Sequence, residues 1–133
     1  MKITRFYATE DGESRFDGIE IPIEHARENE GQTVLYSNGV PSPAVCFVEL
    51  PEGFRTGWHH APTRQIVVVL SGVLEVGTSD GHTQQWGAGE AFMPDDLRGK
   101  GHTTRTIGGP VRLLYIPLPQ DFDLQRWVIE RAP

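Results

Sequence analysis

The chain has 133 residues, the size of one domain that buries about two thirds of its unfolded surface, and leaves no room for a second. Its net charge of −6 argues against a nucleic-acid role, because phosphate contacts need a basic face. No run approaches the ~20 apolar residues needed to cross a bilayer, and the opening "MKITRFYATEDGE" lacks the apolar stretch of a signal peptide, so a cytoplasmic protein without membrane partners is expected.

In chain order, "KITRFYA" reads as an edge strand, and "IEIPIEHARENEGQ", charged and broken by Pro22 and Gly31, as a segment wrapping the rest. From residue 43 to about 118 the chain is a series of short β-type runs: "PAVCFVEL", "RQIVVVL", "GVLEV", "HTQQW", "EAFMP" and "PVRLLYIPL". Ser71-Gly72 and Asp80-Gly81 sit between runs as tight hairpin turns. Cys46, the one cysteine, reads as a small buried hydrophobe. No periodic helix separates the runs, which favours an antiparallel sandwich or barrel over βαβ architecture. Only "DFDLQRWVIERA" has helical spacing, with Phe122, Trp127, Leu124 and Val128 on one side, and it is expected to form a short helical capping segment.

The stretch "GWHHAPTRQ" at 57–65 holds the chemistry-bearing residues. On a continuous strand His59, Ala61, Thr63, Gln65, Val67 and Val69 share one face, while His60, Pro62, Arg64 and Ile66 share the other. Adjacent histidines on one regular strand do not both reach one metal. A bulge at Pro62 would reset that register and bring His60 in.

Gly53, His59, Gln65 and Gly72 stand in the spacing G-x5-H-x5-Q-x6-G, followed beyond a hairpin by Gly89, Pro94 and His102. Here the chain resembles the cupin superfamily, whose motifs are G-x5-H-x-H-x3-E-x6-G and G-x5-P-x-G-x2-H-x3-N. The resemblance implies an all-β, cupin-like antiparallel jelly-roll barrel with an internal pocket, a single domain over residues 1–133. It also implies a divalent metal, of the Fe, Mn, Ni or Zn kind, held by His59, Gln65 and His102, with His60 as the alternative ligand. The pattern departs at Ala61, where the second histidine would stand, at Gln65 in place of glutamate, in the longer Pro94 to His102 spacing, and at Thr106 in place of asparagine. Glutamine coordinates through a neutral oxygen, so such a site would keep its full positive charge and favour an anionic substrate. Either Asp95 or Asp96 is a candidate for the carboxylate that residue 65 does not supply. A metal-free pocket, in which Gln65 hydrogen-bonds His59 or His102, is the competing arrangement.

Around this site, Lys100 is expected to attract a carboxylate or phosphate on the ligand, and Phe47 to form an aromatic pocket wall. Trp58 and Trp86 are assigned to packing, His82 to a hairpin tip and His25 to the surface. Three functions are in contention. They are a metal-dependent enzyme for a small polar or anionic molecule (oxygenase, isomerase or lyase), a metal-independent acid/base enzyme using His59 or His102, and a non-catalytic small-molecule-binding barrel. A homodimer is expected, because open sheet edges and a large sheet face invite pairing.

Overall fold

The computed structural model describes residues 1–130. Twelve strands run β1 (Lys2–Ala8), β2 (Ser14–Glu20), β3 (His25–Asn29), β4 (Gln32–Tyr36), β5 (Cys46–Leu50), β6 (Gln65–Ser71), β7 (Leu74–Thr78), β8 (Thr83–Trp86), β9 (Ala91–Asp95), β10 (His102–Thr106), β11 (Val111–Pro117) and β12 (Val128–Glu130). A seven-stranded sheet in the order β12-β2-β1-β9-β6-β11-β5 faces a three-stranded sheet in the order β10-β7-β8, as a jelly-roll barrel requires. Every pairing is antiparallel except β1 beside β9, two strands joined through most of the chain and so free of any hairpin constraint.

The N-terminal expectations need correcting. β1 is an interior strand paired to both β2 and β9, because its alternation places Phe6 on the inner face and Ile3 and Arg5 on the outer, each buried. Residues 25–36 do not wrap the barrel but form a separate β3–β4 hairpin in which every residue except Val34 is exposed. At the other end Asp123 caps a short 3₁₀ turn, Leu124–Arg126, by accepting a hydrogen bond from the Gln125 N–H. The chain then becomes strand β12 instead of continuing as helix. Phe122 and Trp127 are buried as the spacing implied; the Val128 side chain, Arg131 and Ala132 lie outside the described residues.

Two apolar clusters share the large sheet. Inside the barrel Phe6 packs on Phe92, Trp86 and Phe16, with Val67, Val69, Leu74, Val76 and Leu113 around them. On the outer face Ile3, Ile19, Met93, Phe122 and Trp127 form the second cluster under the C-terminal segment. Also on that face, Arg5 makes a two-pronged contact with Asp17 (2.8 and 2.6 Å) and a third bond to Asp95 (2.9 Å), whose other oxygen accepts from Arg64 Nε (2.7 Å). Arg64 immediately precedes Gln65, and Asp95 immediately precedes Asp96. The buried ion network therefore braces from behind two residues that matter at the barrel interior.

The segment from Phe54 to Ala61 is stitched to β10 and to the loop before it. Thr106 N–H donates to Phe54 O, Thr56 N–H to Thr104 O, His59 and His102 exchange both backbone bonds (3.0 and 2.8 Å), and Ala61 N–H reaches Asp96 O. Gly101 makes this approach possible. Its φ is +79°, and a β-carbon there would lie 2.1 Å from the His59 carbonyl oxygen. Gly53 has a similar φ of +76° but open space around it.

That contrast separates backbone strain from collision. Gly53→Ala is expected to cost about 1–2 kcal/mol, the left-handed penalty alone. Gly101→Ala is expected to cost clearly more in urea unfolding; equal costs at the two sites would refute the close approach. Arg5→Ala leaves Asp17 buried without its partner and is expected to destabilise by about 3–5 kcal/mol. A loss under about 1 kcal/mol in the same titration would mean the network is not a brace.

Candidate functional site in the barrel

The register of the stitched segment decides which side chains enter the barrel. Arg55 is bridged to Arg105 and Thr56 bonds to Thr104, but the next bridge joins His59 to His102. Three steps on one strand thus face two on the other, which is a β-bulge across Gly57 and Trp58. Without it Trp58 would stand opposite His102. With it Trp58 turns out to solvent, 56% exposed, and His59 turns in. The register reset lies upstream of Pro62. Because residues 57–64 are not a regular strand, strict alternation fails there, and both His59 and His60 border the pocket. Alternation does hold from Gln65 onward, where Gln65, Val67 and Val69 face inward.

The pocket has a volume of about 230 Å³. Its floor is apolar, formed by Phe6, Leu74, Val76, Phe92 and Leu113, and its polar groups are His59, His60, Gln65, His102, Thr104 and Tyr115. The His59 and His102 rings lie 4.4 Å apart between centroids, inclined by 54°. His102 Nδ1 is 2.6 Å from Asp96 Oδ2, with both residues buried. His59 Nδ1 is 3.1 Å from the Gly57 carbonyl. Each acceptor is an oxygen, so each Nδ1 is the N–H donor, and in a neutral imidazole that leaves the lone pair on Nε2. Gln65 is only 7% exposed, and its amide has no hydrogen-bond partner among the described residues. It bonds neither His59 nor His102.

Tyr115 was not anticipated. It alternates with Leu113 on the inner face of β11, and its hydroxyl makes no hydrogen bond among the described residues. Burial, with Cys46 adding to it, raises the phenol above its usual value, so it remains a protonated donor at neutral pH. The alternation of "VRLLYIP" carried this signal. Asp96 supplies a carboxylate, but to the back of the His102 ring and not to the pocket. Asp95 belongs to the arginine network.

Two expected ligand contacts are corrected. Lys100 is not in the pocket; it is exposed and binds Glu13 at 2.5 Å, a contact that, with a bond from Ser79, lowers the Glu13 carboxyl below its usual range. The positive φ of Gly99 and Gly101 on either side carries Lys100 past the barrel, toward Gly12. Phe47 is 74% exposed, because Val48 and Leu50 take the inward positions of β5 and Phe47 falls on the opposite face. Cys46 is exposed at this sheet edge, not buried. Trp86 is a core residue whereas Trp58 is not, and His82 and His25 sit at the surface as expected.

Two imidazoles and one amide oxygen line the same pocket, and donors of these types can ligate a divalent ion. Ala61 stands where a second in-line histidine would be, and among the described residues no three His, Cys, Asp or Glu side chains are grouped so as to hold a metal. No helix among the described residues is long and apolar enough to cross a membrane.

No protein-family model matches the chain, and no curated protein is detectably similar in sequence. Among solved structures it is similar to DMSP lyase DddQ of Ruegeria pomeroyi, with 23% identity and a TM-score of 0.50 over 74% of this chain and 47% of that one. It thus spans about half the length of that lyase. A Neisseria meningitidis protein aligns at 18% identity and TM-score 0.47 over 75% of this chain and 87% of its own. A cupin domain from Bordetella pertussis aligns at 22% and 0.44 over 56% and 79%. The two-sheet barrel, its strand order and the likeness to the lyase agree that this chain has an antiparallel jelly-roll β-barrel fold.

Proposed function

We propose that the chain is a small cupin-type enzyme that acts on a small polar organic molecule in the barrel pocket, with a divalent metal held by His59, His102 and Gln65. One observation carries this reading. Both imidazoles engage an oxygen through Nδ1, so both present Nε2, and the buried Gln65 amide beside them has no other partner. A ligating histidine is normally oriented in this way, by a hydrogen bond from its other nitrogen.

When bound, such an ion supplies Lewis acidity or activates a water or substrate oxygen. The chain's residues do the rest. Asp96 holds the His102 ring in one tautomer and orientation. Tyr115 donates to a substrate oxygen, and Thr104 adds a second polar contact. The apolar floor excludes water from the body of the substrate. Since His59, His102 and Gln65 are all neutral donors, an anionic substrate group is favoured next to them. The cavity falls below the roughly 300–1,000 Å³ of sites for drug-sized ligands, which suits a small metabolite.

A second reading rests on the fully buried Asp96. A carboxylate behind His102 also equips Nε2 as a general base without any metal.

Metal analysis separates the two. Purified protein is expected to carry, or take up, one Fe, Mn, Ni or Zn ion per chain, and His59→Ala or His102→Ala to lose it. No uptake of any of these ions, together with turnover that survives chelation but not His102→Ala, would replace the first reading with the second. Both mutants keeping full metal content would remove the ligand assignment.

Changes at the donors make a sharper test by direct metal titration. Gln65→Glu adds the missing charge and is expected to tighten metal binding roughly tenfold or more. Asp96→Asn is expected to weaken it roughly 10–100-fold while the barrel still unfolds cooperatively. Unchanged affinity in both variants would count against a metal at this position.

A further inference from the structure

The outer face of the large sheet carries a groove of about 430 Å³ that shares no lining residue with the barrel pocket. It lies where the C-terminal ends of β1 and β9 run side by side, with Tyr7 in register with Asp95. Strand alternation brings Arg5 and Tyr7 to the same face. Arg64, just before β6, and Leu97 and Arg98, in the loop after β9, complete the lining. Three arginines thus meet beside one aspartate, in a chain whose net charge is −6.

The carboxylates near the groove are already engaged. Asp95 accepts from Arg5 Nη1 through one oxygen (2.9 Å) and from Arg64 Nε through the other (2.7 Å), and Asp17 spends both of its oxygens on Arg5. These contacts hold the Arg5 and Arg64 guanidinium groups in set orientations, and even with Asp17 counted the arginines exceed the carboxylates. Arg64 keeps donors to spare. Its Nη1 makes one long bond to the Phe122 carbonyl (3.5 Å), and its Nη2 makes none among the described residues. Arg98 is exposed and has no hydrogen bond or ion pair among the described residues. Next to these donors stand Leu97, 45% exposed, and the Tyr7 ring, which lies 4.6 Å from the Arg5 guanidinium carbon.

We propose that this groove is a second binding site, for a small organic phosphate monoester. The phosphate meets the unused N–H groups of Arg64 and Arg98. Its three terminal oxygens accept from two guanidinium forks together, whereas a carboxylate brings two oxygens and less charge. Leu97 and Tyr7 give the organic body a surface that inorganic phosphate would leave unused. The volume lies within the roughly 300–1,000 Å³ of small-molecule sites, more than a phosphate group alone fills. The local positive charge draws an anion to a chain that otherwise repels it. No metal takes part, so the site stands or falls separately from the chemistry of the barrel pocket.

Isothermal titration calorimetry at low salt tests this, with phenyl phosphate, inorganic phosphate and phenylacetate as probes. Wild-type protein is expected to bind one phenyl phosphate per chain, about tenfold or more tighter than either other probe. Arg98→Gln, at an exposed position outside the ion network, is expected to weaken that binding about tenfold or more with the urea midpoint unchanged. Leu97→Ser is expected to weaken phenyl phosphate and leave inorganic phosphate as it was. His59→Ala is expected to bind phenyl phosphate as the wild type does, whatever its metal content. Absence of phenyl phosphate binding overturns the proposal, and equal affinity for either other probe overturns the ligand class. Binding that survives both Arg98→Gln and Arg64→Gln, or that His59→Ala abolishes, lies elsewhere and overturns the site. Should Arg64→Gln fail to fold, Arg98→Gln decides.

Discussion

The backbone contact between Gly101 and His59 governs the candidate site. A β-carbon at residue 101 would lie 2.1 Å from the His59 carbonyl, so only glycine lets the loop before β10 lie directly on the histidine segment. From that contact follow the paired His59 and His102 backbone bonds, and from those the placement of two imidazoles 4.4 Å apart. The bulge at Gly57 and Trp58 completes the arrangement by exchanging a tryptophan for a histidine on the inner face. A single extra residue in a strand has reversed which side chain meets the pocket.

Around that junction the barrel keeps its charges in separate places. The outer face holds the formally charged network of Arg5, Asp17, Asp95 and Arg64, whereas the pocket is lined by neutral donors above an apolar floor. The two regions meet through neighbouring residues, Arg64 with Gln65 and Asp95 with Asp96. Because each pair is adjacent in the chain, holding Arg64 and Asp95 in the charged network also holds the backbone from which Gln65 and Asp96 project. Asp96, fully buried, is drawn toward the interior. It reaches the ring of His102 and leaves its second oxygen, Asp96 Oδ1, without a partner.

The outer surface follows from the same alternation. Strands β5, β11 and β6 put one set of apolar residues into the barrel and a second set on its outside. The C-terminal segment covers the outer set only near β9, β1 and β2. Phe47 is exposed for the reason that Val48 and Leu50 are not, and an error of one in its assumed parity turns a pocket wall into a surface residue.

The sequence by itself determined the fold class and the positions of the Ser71-Gly72 and Asp80-Gly81 turns. Each of these rests on local alternation, on glycine-bearing turns or on motif spacing, all properties of neighbouring residues. Tertiary structure alone decided the remainder. The partner of Lys100 proved to be Glu13, 87 residues away in sequence, and that of the His102 ring proved to be Asp96. β1 took an interior place that no local pattern marks, since a strand's neighbours are set by the whole sheet. The bulge that admits His59 depends on how one segment registers against another, and register is a relation between strands that neither strand contains alone.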